Sequence, residues 1–285
     1  MKRFVCIGMV AALASVALSS CMKEYNPKDY APKKPLPSFD GFANSKDIEP
    51  ASLVAIWPFS GSLTDSISNA TATNSGTSFT GGVSGQGLQG AANSYAVANT
   101  SAAIKGLHSF TISTWVNMPQ NTNALGVLSI ANGQTFWGNL DIFFDTGDAN
   151  TATSGNLKVH MWNNSASTTG TDAWEGGYTV DNPWNKWIQI LVTYDDAAGK
   201  ISVYYNGKVA GTNTQAGFAP LDWSQANQIV FGTMQFQTTP SLTSATGAQD
   251  WAGYLTGKLD QVRVYNKVLT DDQIDALYNL EKAGR

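Results

Sequence analysis

Residues 187–208 decide the fold: Trp187-Ile188-Gln189-Ile190-Leu191-Val192-Thr193-Tyr194, then Asp195-Asp196-Ala197-Ala198-Gly199-Lys200, then Ile201-Ser202-Val203-Tyr204-Tyr205 and Asn206-Gly207-Lys208. Two runs rich in β-branched and aromatic residues flank a polar turn, which is the signature of an antiparallel hairpin. Asn206-Gly207 makes a second tight turn, because both residues tolerate positive φ. Working outward, the same pattern recurs: residues 53–59, 95–97, 109–118, 126–130, 140–144, 156–162, 229–232 and 257–265 are short apolar runs separated by Gly, Asn, Asp, Ser and Thr. The chain therefore reads as all-β, an antiparallel sandwich. Only the C-terminus reads as helix. There Thr270-Asp271-Asp272-Gln273 fits a capping box, and Ile274, Leu277, Tyr278 and Leu280 form one apolar face. No internal repeat is apparent, and residues 50–285 read as one domain.

Composition narrows the function. The 285 residues carry 17 Lys+Arg against 21 Asp+Glu, a formal charge of −4, with only 13% charged residues. An acidic chain without a Lys/Arg cluster neutralises few phosphates, so nucleic acid is not an expected partner. Hydrophobic residues at 42% suffice for a large core. The two cysteines, Cys6 and Cys21, exclude a disulfide framework or a Cys-based zinc site.

The first segment reads as an address. Met1-Lys2-Arg3 is a short basic start, and residues 4–18 are apolar but too short for a stable membrane span. Leu18-Ser19-Ser20-Cys21 resembles the lipobox of bacterial lipoproteins. That resemblance implies removal of residues 1–20, lipidation of Cys21, and anchoring at the outer membrane or cell surface, with no other membrane contact. Residues 21–49, with Lys23, Lys28, Lys33, Lys34 and several prolines, read as a flexible tether.

Several phrases resemble the laminin-G-like, concanavalin A-like jelly-roll modules. They are Ile56-Trp57-Pro58-Phe59-Ser60-Gly61-Ser62-Leu63-Thr64-Asp65; Gly85-Gln86-Gly87-Leu88; Ser109-Phe110-Thr111-Ile112-Ser113-Thr114-Trp115-Val116; Val203-Tyr204-Tyr205-Asn206-Gly207-Lys208; and Gly257-Lys258-Leu259-Asp260-Gln261-Val262-Arg263-Val264-Tyr265-Asn266. The resemblance spans about residues 53–280. It implies a two-sheet antiparallel jelly-roll sandwich whose concave sheet carries ligands. It also implies a structural Ca2+, held by Asp260 and Asp65 with backbone carbonyls, a donor set suited to a hard cation.

Catalytic signals are weak. The glucanase branch of that family usually carries Glu-x-Asp-x-x-Glu, and this chain lacks it; within residues 50–280 the only Glu is Glu175. Asp141, Asp145 and Asp148 cluster; an Asp141/Asp145 pair on one strand face, or either of them with Glu175, is what would serve a glycosidase. His108 and His160 are the only histidines, and no Gly-x-Ser-x-Gly elbow occurs. The expectation is a non-enzymatic chain.

Aromatic residues are the stronger signal. Trp57, Trp115 and Trp187 match apolar strand positions and are expected in the core. Residues 134–187 add Trp137, Phe143, Trp162, Trp174, Tyr178 and Trp184 among Asn, Asp, Thr and Gly. Strand alternation puts Leu157, Val159 and Met161 on one face and Lys158, His160 and Trp162 on the other; likewise Leu140, Ile142 and Phe144 oppose Asp141, Phe143 and Asp145. Asp141, Phe143, His160 and Trp162, joined by Trp174, Trp137 and Tyr178, would then form a mixed polar and aromatic groove for an oligo- or polysaccharide. The alternative is a small second core under long loops, with Trp223, Trp251 and Tyr254 flanking the insertion 233–253. The functional expectation is a lipid-anchored, monomeric glycan-binding module of a glycan-capture system. An adhesion module for proteins and a divergent glycosidase stand as alternatives.

Overall fold

The computed structural model describes residues 36–147, 149–164 and 171–285. The leader, Cys21, most of the expected tether and Asp148 lie outside the described residues. The strands are β1 (Leu53–Trp57), β2 (Thr73–Ser75), β3 (Ser78–Gly81), β4 (Gln86–Gln89), β5 (Tyr95–Asn99), β6 (Phe110–Asn117), β7 (Ala124–Ala131) and β8 (Leu140–Asp145). They continue as β9 (Ser154–Asn163), β10 (Thr171–Asp181), β11 (Ile188–Asp195), β12 (Lys200–Tyr205), β13 (Lys208–Thr214), β14 (Gln228–Phe231), β15 (Ala252–Gly253) and β16 (Lys258–Tyr265).

They form two 8-stranded sheets. The first has the order β13-β12-β11-β6-β16-β4-β3, with β1 also on β16. The second runs β10-β9-β8-β7-β14-β5-β2, with β15 on β7. Every pairing is antiparallel except β15 with β7. This is the expected jelly-roll sandwich. The 187–208 stretch pairs as read, with Asp195 opposite Lys200. Asn206 and Gly207 turn at φ 52° and 75° into β13.

Period-two alternation decides what each sheet buries. Phe110, Ile112 and Val116 of β6, Ile188, Ile190 and Val192 of β11, and Leu157, Val159 and Met161 of β9 all enter the core between the sheets. Trp57 is there too, its ring 5.1 Å from Phe231, and Trp184 packs against Phe144. Trp115 is in the opposite phase. It lies on the outer face of the first sheet, under the C-terminal helix Asp271–Lys282, and Trp187, in phase with Gln189, lies half-buried on that same face. The expectation that these two belong to the main core is corrected. A position one residue off in phase faces the other side of the sheet.

The C-terminal helix forms as its sequence indicates. Gln273 N–H donates to Thr270 Oγ1 at 3.3 Å, and Thr270 N–H to Gln273 Oε1 at 3.0 Å. Ile274, Leu277 and Leu280 bury against Leu191, Tyr204 and Tyr265, each adding about 1.5–3 kcal/mol. Beneath the helix, Arg263 Nε donates to Glu281 Oε1 at 2.6 Å. Trp115 Nε1 and Gln189 Nε2 donate to Glu281 Oε2 at 2.7 and 3.1 Å. Arg263 Nη2 also reaches Ser45 Oγ at 3.0 Å.

That last contact corrects the tether boundary, since the compact unit begins at Pro37. Ile48 is buried in the helix-side cluster with Phe39 and Phe42 packed against it. Residues 37–49 are thus part of the folded body. Among the described residues no helix is long and apolar enough to cross a membrane.

Candidate functional site

The outer face of the second sheet carries one row of side chains across adjacent strands. Ser129 on β7 pairs with Asp141 on β8, Asp141 with His160 on β9, and His160 with Trp174 on β10. Alternation places all of them away from the core, as the sequence reading expects for Asp141, Phe143, His160 and Trp162. Ser129 Oγ donates to Asp141 Oδ1 at 2.6 Å, and Gly138 N–H donates to Oδ2 at 2.7 Å. His160 Nδ1 lies 3.3 Å from the same Oδ2. With Asp141 as acceptor, Nδ1 carries the proton. Nε2 is then left facing Asp172 Oδ2 at 3.8 Å, buried and, among the described residues, without a hydrogen-bond partner.

Asp141 and His160 are both fully buried, and Phe143 nearly so. They are not groove walls open to a ligand; that expectation is corrected. Two segments cover them, residues 132–139 and the insertion around 233–253. Gly126 makes this possible, because a Cβ there would sit 2.6 Å from the Thr233 carbonyl carbon. Gln235 stitches the covers together. Its Oε1 accepts from Asn132 N at 3.0 Å, and its Nε2 donates to the Thr135 and Phe136 carbonyls at 2.8 and 3.1 Å. Gln237 does the same within the insertion, donating to the Ala252 carbonyl at 3.2 Å and accepting from Gln249 N at 2.9 Å. Phe143, Met234 and Phe236 form a small separate core beneath, with Phe136 and Trp137 packed on it.

What reaches solvent is the aromatic roof. Trp137 is its hub, stacked on Phe143 at 5.3 Å and packed at 5.6 Å on His160. Trp174 meets it edge-on at 5.0 Å, and Trp251 packs on its other flank at 5.8 Å. Trp174 and Trp251 are each 42% exposed. Trp174 Nε1 donates to Asp172 Oδ2 at 3.0 Å, which fixes its ring and leaves the Asp172 carboxylate at the surface. Trp162 lies half-buried on the same sheet face, opposite Asp172.

Tyr178 and Glu175 are elsewhere. A bulge between Gly176 and Tyr178 shifts the register, so Tyr178 faces the other sheet and packs on Gly211, where any side chain would collide with its ring. Tyr178 Oη donates to Glu175 Oε2 at 3.2 Å. Burial raises the Glu175 carboxyl above the usual range against bonds from Asn213, Tyr178 and Gln215. Burial and the adjacent Glu175 push the Tyr178 hydroxyl up to about 12. Tyr178 therefore leaves the candidate surface.

Glu175 pairs with core-facing Val159, on the face opposite Asp141. The two cannot flank one glycosidic bond. Asp141 and Asp145 share a face but stand about 13 Å apart along the strand, beyond the separations of about 5–5.5 or 6.5–9.5 Å that glycosidases use. Asp145 is paired with Lys158 at 2.6 Å. His108 sits exposed beside Asp196.

The expected calcium residues are committed to turns. Asp65 Oδ1 accepts from Ile56 N and Ile67 N at 2.8 and 3.0 Å, and Oδ2 from Ser68 N at 3.1 Å. Asp260 Oδ2 accepts from Val83 N and Ser84 N at 2.7 and 3.1 Å, and Oδ1 from Gln261 N at 2.8 Å. N–H groups aimed at both oxygens are the opposite of a cation cage, so these two side chains do not fit Ca2+. Among the described residues no group of three or more His, Cys, Asp or Glu side chains could share a metal.

A family model for the concanavalin A-like lectin/glucanase superfamily, of the laminin G type, matches residues 89–275. This chain belongs to that family. The match spans the strands of both the buried row and the aromatic roof. Comparison with curated protein sequences found no significant match. Among solved structures, the binding domain of Paraclostridial Mosquitocidal Protein 1 is similar at TM-score 0.58 and 16% identity, over 83% of this chain and 53% of that one. Domain 4 of AbnA, an extracellular arabinanase from Geobacillus stearothermophilus solved with arabinotriose, gives 0.54 and 18%, over 79% and 98%. A botulinum neurotoxin type C structure, described with two ganglioside molecules in cell entry, gives 0.56 and 16%, over 82% and 52%. This family member thus spans about half the length of the toxin chains and nearly all of the arabinanase domain. At these identities the likeness is one of fold.

Proposed function

We propose that this chain is a non-catalytic saccharide-binding module, held at the cell envelope through a lipid on Cys21, that captures glycan on the Trp137–Trp174–Trp251 roof. The observation that carries this reading is the pair of indoles left 42% exposed on a braced aromatic hub. Sugar rings present C–H patches that pack on such faces, while the Asp172 carboxylate beside Trp174 can accept their hydroxyls. The arabinotriose and ganglioside named for two structural neighbours support a saccharide as the ligand class. The separation of Asp141 from Glu175 on opposite faces supports binding without hydrolysis. Glycan capture as a monomer, for an uptake system that degrades the polymer elsewhere, follows as the role.

The test is a glycan array probed with the chain, followed by calorimetry on each hit. Trp174→Ala should weaken binding tenfold or more, about 1.4 kcal/mol, while the melting temperature stays near that of the unmodified protein. Binding unchanged in both Trp174→Ala and Trp251→Ala would remove the roof as the site. Release of reducing ends from a hit would replace capture with hydrolysis. Labelling with a palmitate analogue, lost in Cys21→Ala, checks the anchor.

A further inference from the structure

A cavity of about 400 Å³ opens on the other side of the sandwich, beside the C-terminal helix, lined by Trp115, Trp187, Tyr278, Lys186, Lys282 and Asn206 among others. We infer that this cavity is a second ligand site and that it takes an acidic sugar, a ring bearing a carboxylate. It is separate from the aromatic roof, which lies on the outer face of the opposite sheet, and it does not rest on the function proposed above.

The walls are built and held. Trp115 is buried and anchored through Nε1 to Glu281, and its ring stacks on Tyr278 at 5.5 Å and 12°. Trp187 reaches the same face because it is in strand phase with Gln189, whose backbone N–H donates to Asn206 Oδ1 at 2.9 Å. The turn at Gly207 comes so close to Tyr278 that a Cβ there would sit 3.0 Å from the tyrosine Cβ. These contacts set the aromatic walls before any ligand arrives. The volume suits one or two sugar rings.

The charge names the ligand. Both charged side chains of the lining are lysines, and among the described residues no carboxylate lines the cavity. Lys282 is steered over it, Nζ at 3.2 Å from Tyr278 Oη and 5.2 Å from its ring centre. Lys186 is exposed at the other rim. The neighbouring acids are both buried and spent, Glu281 on Arg263 and Asp260 on the Val83 and Ser84 amides. In a chain with 21 acidic against 17 basic residues, two lysines without a facing carboxylate make a local attraction that the overall charge opposes. Aromatic faces for the ring and ammonium groups for its carboxylate together fit a uronic-acid unit.

The test titrates the full chain with trigalacturonate and with its methyl ester, which keeps the rings and removes the charge. Calorimetry and Trp fluorescence are the readouts. The acid should bind, the ester at least tenfold more weakly, and affinity for the acid should fall with added salt. The double variant Lys186→Met/Lys282→Met retains the aliphatic stems and should lose the acid at least tenfold, whereas Trp174→Ala should not. Absence of saturable binding by trigalacturonate, equal affinity for acid and ester, or loss in Trp174→Ala with retention in the double lysine variant would each overturn the inference.

Discussion

Asp141 shows how one buried carboxylate organises this face. It accepts from Ser129, Gly138 and His160, three donors drawn from the β7 strand, the covering loop and the β9 strand. Asp141→Ala strands all three and should cost about 3 kcal/mol in chemical unfolding, the scale of losing bonds to a charged acceptor. Asp260 is a different case. Burial pushes its carboxyl up to about 6 in the folded chain, from an ordinary 3.8, against the pull of three amides. The folded state therefore holds the proton more tightly than the unfolded one between those values. Asp260 should lower stability as pH rises from about 4 to 6, by up to about 3 kcal/mol. From about pH 4 to 6 the unfolding free energy of the unmodified chain should fall relative to that of Asp260→Asn; a difference independent of pH would refute it. Chelation by EDTA should leave the melting temperature unchanged, because Asp65 and Asp260 hold amides.

At the scale of elements, the strands rich in β-branched and aromatic residues were legible, and β10 was not. Thr171-Asp172-Ala173-Trp174-Glu175-Gly176-Gly177-Tyr178 is polar and glycine-rich, and an edge strand with a bulge needs no apolar run. The same bulge turns Tyr178 to the core face, so its grouping with Trp174 in the sequence reading fails: alternation breaks where one residue is inserted. The helix ends the fold by closing over Arg263 and Glu281. Removing either partner leaves a buried charge, so Glu281→Ala should cost about 3–5 kcal/mol, while Arg263→Met with Glu281→Leu should recover most of it. Denaturant titration of the single and double variants checks this.

For the whole molecule, the two outer faces divide the work: one sheet is roofed by loops that end in exposed tryptophans, and the other is roofed by the helix and residues 37–49. A chain beginning at Pro50 would lose Ile48 from the helix-side cluster and Ser45 from Arg263. It should melt at least about 3 °C below a chain beginning at Pro37, since burial of one Ile is worth about 1.5–3 kcal/mol and each kcal/mol moves a domain of this size by about 2–4 °C. Scanning calorimetry on the two forms gives the answer.

By itself the sequence determined the sandwich, its main strands, its hairpin turns, its capped helix and the face on which Asp141, His160 and Trp162 fall. Those properties are set by local propensity and by a period of two along one strand. Tertiary structure alone decided that Asp141, His160 and Phe143 are covered, that Trp174 and Trp251 meet around Trp137, and that Trp115 and Trp187 look onto the helix. These depend on which loop lies over which sheet. Gln235, Gln237 and Gly126 control that, yet nothing in their own neighbourhoods marks them, because their partners are distant in the chain.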